Sequence, residues 1–151
     1  MRIHARHVTA ALAVLASAAV LPASAAAAHR TSRWISATVV VTLGSDFQGG
    51  LAAQGAFLSP QLGNGTIAYR ATVDRATTST RAIEIAVPGG TLRGSGTGSA
   101  SPRTDGALEV RGTGTLTGGT GRFAHARGRF VYEGTSTGNT VELGVSATAT
   151  Y

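Results

Sequence analysis

The feature that most constrains the fold of this chain is an alternation of apolar and polar side chains with a period of two, which begins at residue 33 and recurs to the end of the sequence. In the first run, the odd-numbered residues from Ile35 to Leu43 are all apolar, and most of the residues between them are Ser or Thr. Successive side chains of a β-strand point to opposite faces, so this pattern predicts half-buried strands. No helical period of useful length lies between the runs, and the chain is therefore predicted to be all-β.

Turn signals divide the rest of the sequence into further runs of this kind. The predicted strands cover residues 33–43, 51–58, 67–74, 83–87, 91–99, 107–117, 129–136 and 140–151. Asn64 and Gly65 predict a hairpin turn before the third of them. These lengths favour an eight-stranded antiparallel β-barrel, because closure leaves no free strand edge and encloses either packed side chains or a ligand-sized interior. A sandwich of two sheets is the alternative architecture.

Glycines interrupt the fifth and sixth predicted strands, at Gly94, Gly96, Gly112 and Gly114. Glycine inside a strand weakens it, and it usually marks a sharp bend or the close approach of another group. We therefore expect these two strands to bend strongly, or to lie unusually close to a neighbour, at the four glycines.

The N-terminal part of the sequence differs in composition from the remainder. It opens with a basic stretch, continues with an apolar run that ends at Leu21, closes on small residues up to Ala28, and contains none of the 21 glycines. This arrangement is typical of a secretory signal peptide. The apolar run is shorter than the roughly 20 residues of a membrane-spanning helix, so no membrane span is expected. The sequence thus predicts a signal peptide at 1–28, a single β-barrel domain at 29–151, and a secreted, extracellular protein.

The composition excludes several classes of site. The sequence has no Cys, which excludes disulfides, thiolate metal sites and thiol nucleophiles, and no Lys, which excludes Schiff-base chemistry. Its 13 basic residues, all Arg, outnumber the seven acidic ones, but they are scattered singly. One Trp, three Tyr and four Phe are too few for a base-stacking platform. No nucleic-acid partner is therefore expected.

A glycine-rich segment at residues 118–128, GGTGRFAHARG, separates the sixth and seventh predicted strands. Its paired glycines permit the positive backbone angles of a tight turn, and Phe123 with Ala126 can form a short apolar clasp over one helical turn. Gly128 then returns the chain to the next strand.

This segment resembles the GGTG-x-F-x-x-A-x-G signature of the allene oxide cyclase and dirigent protein superfamily, whose members are small calycin-type barrels. The resemblance covers the motif and the strands on either side of it, in the last third of the chain. It implies an eight-stranded antiparallel barrel with a largely apolar cavity, often trimeric, which steers cyclisation or radical coupling of small lipophilic molecules without a cofactor. Residues 34–43 contain no acid or His, unlike the first strand of plant dirigent proteins, so the resemblance assigns no catalytic residue.

Three side chains are candidate ligand-binding residues. Tyr69 and Tyr132 lie on the same alternation faces as the apolar residues of their strands, so each is expected to point inward with its hydroxyl in apolar surroundings. There the two tyrosines either fill the core or orient a polar group of a bound ligand. Arg127 matches a position that is often Arg in dirigent-like sequences. Its alternative role is that of a solvated turn arginine that binds nearby carbonyl groups.

No catalytic constellation can be assigned, and neither a metal site nor a cofactor is expected. His29 and His125 have no second His or acid at ligand spacing. His125 is a candidate general base because imidazole is a common proton acceptor in catalysis, although a surface turn residue is the simpler interpretation. The charged residues that alternate with the apolar faces are expected on the solvated exterior: Glu84, Glu109, Arg111, Glu133 and Glu142.

Three functions follow as hypotheses. The first is a secreted barrel that binds an apolar small molecule in its cavity and steers its cyclisation or coupling, with its status as an enzyme left open. The second is a non-enzymatic surface or interaction module with a solidly packed barrel, which a cavity below roughly 300 Å³ would favour. The third, an outer-membrane barrel, requires aromatic girdles that the scattered aromatic residues do not supply.

Overall fold

The computed structural model describes residues 31–45, 50–75 and 77–151, so the predicted signal peptide lies outside the described residues. The described chain forms eight β-strands and one short 3₁₀ helix. In chain order these are β1 (Arg33–Ser45), β2 (Leu51–Leu58), β3 (Gly65–Asp74), β4 (Thr77–Val87), β5 (Gly90–Pro102), β6 (Leu108–Gly119), the 3₁₀ helix (Gly121–Phe123), β7 (Arg127–Thr137) and β8 (Thr140–Thr150).

Each strand pairs antiparallel with the next, and β8 pairs with β1 to close a barrel. The predicted all-β class and the eight-stranded antiparallel barrel are therefore confirmed, and the two-sheet sandwich is wrong. Closure is possible because the inward faces coincide across neighbouring strands: Val39 of β1 lies opposite Phe57 of β2 and Leu143 of β8. All three side chains are buried, so the alternation read from the sequence is the alternation between barrel interior and exterior.

Two elements differ from their predicted form. β4 begins at Thr77, well before the predicted start at Ile83. Its first four residues are Thr and Ser and show no apolar alternation, so the sequence pattern does not indicate a strand there. The predicted hairpin turn at Asn64 and Gly65 is wrong. Residues 59–64 connect β2 to β3, Gly65 is already the first residue of β3, and the positive φ of 89° belongs to Gly63.

The strand glycines make room for aromatic rings inside the barrel. A Cβ built at Gly114 of β6 would overlap the Phe130 ring of β7 and the backbone oxygen of Ser95, and one built at Gly112 would overlap the ring of Tyr132. The expected close approach is thus confirmed for β5 and β6, where the ring of a neighbouring strand covers the bare backbone. A register shift between Arg93 and Gly94 adds the expected irregularity.

One end of the barrel, which we call the floor, is closed by loop residues that are almost wholly buried. Leu62, in the β2–β3 connection, is 3% exposed, and Phe123 of the 3₁₀ helix has no exposure. The ring centroids of Phe123 and Tyr151 lie 5.0 Å apart. The beginning of β1 and the end of β8 lie at this same end.

Polar contacts hold the two loops of the floor in place. The Gln61 side-chain oxygen accepts a hydrogen bond from the Ser36 backbone N–H at 3.1 Å, which ties the β2–β3 connection to β1. The Leu62 N–H donates to the hydroxyl of Ser59, which is itself buried. The guanidinium of Arg122 lies over the Phe123 ring at 4.7 Å. Phe123 and Ala126 are both fully buried, so the apolar clasp predicted for the glycine-rich segment is confirmed, and it forms part of the floor.

Replacing Gly114 by Ala tests the ring-over-glycine packing. We expect Gly114→Ala to lower the free energy of unfolding by about 1 to 3 kcal/mol, because the new methyl group must displace the Phe130 ring or the β5 backbone. Gly144 of β8 is the matched control, since a Cβ there would lie 3.8 Å from its nearest neighbour, the backbone oxygen of Glu133. Urea unfolding curves give both values. Equal stability of the two variants would contradict this account.

Truncation of the floor residue Phe123 tests the seal. We expect Phe123→Ala to cost about 3 to 5 kcal/mol, because a fully buried ring is replaced by a cavity. The control is Val131→Ala on β7, whose side chain is 54% exposed and whose loss should change stability by less than about 0.5 kcal/mol. Both are measured by chemical denaturation. A cost below that of an ordinary surface substitution would show that the ring does not seal the barrel.

Candidate functional site

The barrel encloses a cavity of about 500 Å³, within the usual range of small-molecule sites, roughly 300 to 1,000 Å³. All eight strands contribute to its wall, and most of the lining side chains are aliphatic or aromatic. Representative apolar lining residues, taken in strand order, are Ile35, Phe57, Ile67, Ile83, Leu92, Leu116, Phe130 and Val141. The interior is therefore neither packed solid nor polar.

The wall of the cavity meets solvent at the end opposite the floor, which we call the mouth. Val73 of β3 and Leu108 of β6 both line the cavity, and they are 53% and 39% exposed. At the floor, by contrast, the lining residue Leu62 is buried. Residues 46–49, between β1 and β2 in the sequence, lie outside the described part of the chain. The described wall thus changes from sealed to solvent-exposed along the barrel axis.

A few polar side chains interrupt the apolar lining. Within the described wall they are Tyr69, Arg75, Thr78, Thr80, Tyr132 and Ser136. The two tyrosines lie in the middle of the barrel, and the other four come from the mouth halves of β4 and β7 and from the β3–β4 turn. A ligand in this cavity would therefore meet hydroxyl groups at two levels.

Tyr69 and Tyr132 point into the cavity, as the alternation predicts. Tyr69 lies opposite Ala53 of β2 and Ile83 of β4, while Tyr132 lies opposite Val145 of β8. Burial raises the pKa of the Tyr69 hydroxyl, and the nearby Tyr132 raises it further. Burial likewise raises the pKa of the Tyr132 hydroxyl. Both groups therefore stay protonated over a wide pH range and are available as hydrogen-bond donors.

This lining suits binding and orientation of a ligand better than strong acid–base chemistry. No carboxylate or imidazole is among the side chains of the described cavity wall. Two neutral phenol groups in apolar surroundings can donate hydrogen bonds to a carbonyl, ether or hydroxyl oxygen, and the aliphatic wall fixes the rest of the molecule by shape. The arrangement can therefore hold a lipophilic molecule in one conformation.

The third predicted ligand residue, Arg127, does not line the cavity. Its guanidinium donates hydrogen bonds to the backbone oxygens of Thr117 and Ala126, the latter at 2.8 Å, at the floor end of the barrel. These contacts agree with the alternative interpretation of Arg127, that of a solvated turn arginine that binds nearby carbonyl groups. His125 is exposed beside it, outside the cavity wall.

The charged residues expected on the exterior are found there. The five residues predicted for the solvated face, including Glu84 and Arg111, are absent from the described cavity wall, and Glu84 pairs with Arg93 across the outer surface at 3.2 Å. In residues 31–45, 50–75 and 77–151, no three His, Asp or Glu side chains cluster as a metal site would require. Nor does any helix in these ranges have the length and apolar character needed to cross a bilayer.

Sequence reasoning missed Arg75 and the mouth hydroxyls of Thr78, Thr80 and Ser136. For Arg75 a signal existed, because the inward alternation of β3 from Ile67 onward reaches residue 75 if it is continued through the turn. For the hydroxyls no signal existed, since Thr and Ser are equally common on the outer faces of these strands.

No family model and no curated protein sequence matches this chain. The resemblance to allene oxide cyclases and dirigent proteins therefore depends on the quoted segment at 118–128 and stays a prediction.

The raised pKa values of the two cavity tyrosines predict a loss of stability in alkali. Both hydroxyls titrate near pH 10 in the unfolded chain and higher in the folded one, so the folded state binds more protons. Their contribution is complete below about pH 10 and is lost as the pH rises through the folded pKa values. We expect the double variant Tyr69→Phe, Tyr132→Phe to lose less stability over this range than the unmodified protein, as measured by urea unfolding at successive pH values. Parallel pH profiles would contradict the assignment.

Proposed function

We propose that this chain is a secreted small-molecule-binding barrel that takes up an apolar molecule through its mouth. The single observation that carries the proposal is the cavity of about 500 Å³, apolar along its wall, sealed at the floor by Leu62 and exposed to solvent at the other end. A barrel stabilised only by its own packing would gain nothing from such a void, because unfilled apolar space costs stability. A ligand that fills it recovers those contacts.

The apolar wall supplies the affinity. Burial of roughly 200 Å² of apolar ligand surface contributes about 5 kcal/mol at 25 cal/mol per Å². Part of this offsets the lost translational and rotational freedom of the ligand. The cavity is preformed between paired strands, so little reorganisation of the protein adds to that cost.

The two tyrosine hydroxyls supply orientation. Tyr69 and Tyr132 lie midway between floor and mouth, where a pure hydrocarbon would cover their hydroxyls without offering a hydrogen-bond partner, at a cost of about 1 to 3 kcal/mol for each unpaired group. A molecule with an oxygen at this depth is therefore preferred over a pure hydrocarbon. The two tyrosine hydroxyls would also determine the orientation of the ligand along the barrel axis.

The resemblance to allene oxide cyclases and dirigent proteins extends this proposal to a reaction. A cavity that holds a flexible polyene or a phenol in a near-attack conformation can steer cyclisation or coupling by proximity alone, without a cofactor. Catalytic residues stay unassigned under this proposal. Secretion after cleavage near Ala28 and assembly into a trimer belong to the same proposal and are supported by the sequence patterns at 1–28 and 118–128.

The alternative function, a solidly packed interaction module, is less well supported. It required a void below about 300 Å³, and the cavity exceeds that size.

Filling the cavity with a side chain tests the proposal. The probe is N-phenylnaphthylamine, a neutral apolar dye whose fluorescence rises in apolar surroundings. We expect Ala100→Phe, on the cavity wall, to weaken its binding at least about tenfold, or about 1.4 kcal/mol, by occupying ligand space. The matched control is Ala86→Phe on the exposed face of β4, which should leave the dissociation constant unchanged.

A second measurement keeps the proposal falsifiable with unlabelled compounds. Thermal unfolding of the purified barrel is followed in the presence of polyenes, fatty-acid derivatives and phenols, and at least one class is expected to raise the midpoint. No dye binding together with no stabilisation by any of these classes would overturn the proposal.

A further inference from the structure

One charged side chain reaches the described cavity wall, that of Arg75 in the turn between β3 and β4. The turn lies at the mouth, two residues beyond the exposed lining residue Val73. Arg75 lines the cavity and is itself exposed, so it places a cation where an apolar interior passes into solvent. A cation in this place is unfavourable for a pure hydrocarbon ligand, which offers it no partner.

Arg75 is the described arginine that lines the cavity, and the ion pairs of the described chain show whether its charge is already neutralised. Arg93, Arg103 and Arg111 each form an ion pair with a nearby carboxylate on the protein surface. Among the described residues, Arg75 forms no such pair, and its neighbour Asp74 is exposed and absent from the cavity wall. The positive charge at the mouth is thus available to bind an anionic group that does not belong to the described residues.

The backbone of Arg75 supports a role in binding. Its φ of 56° is the one positive value among the described non-glycine residues. Two-residue hairpin turns favour Asn, Asp or Gly at such a position, and an ordinary side chain there costs about 1 kcal/mol or more. Arg at position 75 therefore makes the turn less stable than Asn, Asp or Gly would, so the turn conformation does not explain why Arg is found there.

We propose that the ligand of this barrel is an amphiphile with one anionic oxygen-bearing head group, a carboxylate or a phosphate, which Arg75 binds at the mouth while the apolar tail fills the cavity. This inference rests on the proposed function and narrows its ligand class. Guanidinium groups bind such anions through paired N–H donors. Thr78 of β4 and Ser136 of β7 also line the cavity at this end, and their hydroxyls can donate further hydrogen bonds to a head group at the mouth.

The polarity of the cavity determines the direction of entry. An anion carried to the floor would lose its hydration among Leu62, Leu92 and Leu116, at a cost of several kcal/mol, whereas at the mouth it keeps part of its water. The tail therefore enters first and the head stays beside Arg75. The two tyrosine hydroxyls then contact the tail, so we expect a tail that carries an oxygen at this depth to bind more tightly than a plain hydrocarbon tail.

A set of probes with the same tail tests the head group. Dodecanoate, dodecyl phosphate and dodecanol are titrated by calorimetry below their micellar concentrations into the unmodified barrel and into Arg75→Asn. Asn tolerates the positive φ, so this variant is expected to fold at least as well. We expect it to bind at least one anionic probe about three- to tenfold more weakly, or about 0.7 to 1.4 kcal/mol, and to bind dodecanol with an unchanged constant.

Two further variants separate charge at the mouth from charge in general. Arg75→Lys should retain most of the preference for the anionic probe, because it keeps the cation, and high salt should reduce that preference. Arg70→Gln removes an exposed arginine from the outer face of the same strand and should leave all three constants unchanged. Equal binding of the anionic probes and dodecanol by the unmodified barrel would overturn the head-group inference alone. Failure of all three probes to bind would overturn the ligand-binding proposal together with it.

Discussion

The hydrogen-bonded ladder between β1 and β8 is the constraint on which the rest of the structure depends. It runs from Arg33 opposite Ala149 to Thr42 opposite Thr140 and joins the first strand to the last. Without it the sheet would have two open edges and its apolar face would need cover from another layer. With it, the same face becomes an enclosed interior, and the size of that interior is set by the side chains of the wall.

The cavity follows from how that wall is composed. Alanine and glycine occupy many inward positions, among them Ala37, Ala71, Ala147 and Gly114, where larger aliphatic residues would fill the barrel. Phe130 and Tyr132 belong to the cavity wall, and their rings occupy the space left by the glycines of β5 and β6. Small inward residues, together with rings that lie close to the glycine backbone of the wall, leave the centre open. An eight-stranded barrel can also have a core filled by side chains. The cavity therefore results from the small residues at inward positions and not from the number of strands.

Much of this fold can be predicted from the sequence, because each inward or outward position is encoded locally by alternation. β2 was predicted with its observed limits, and the inward direction of Tyr69 and Tyr132 follows from the same rule. The floor and the mouth are harder to predict. Leu62 seals the barrel from a loop that carries no periodic pattern, and Arg75 reaches the cavity through a backbone conformation that Arg seldom adopts. The position of Leu62 depends on contacts between elements far apart in the chain, such as that of Gln61 with Ser36, which no local pattern contains. The position of Arg75 follows from the alternation of β3 only if that alternation is continued through the turn.

The placement of both barrel termini at the floor has a practical and biological consequence. β1 starts and β8 ends at the sealed end, where Arg33 lies 5.4 Å above the ring of Tyr151. Anything attached through either terminus, whether a tag, a resin or a neighbouring domain, therefore sits behind the barrel with respect to its opening. The molecule can be tethered from either end and still present its entrance to the surrounding medium.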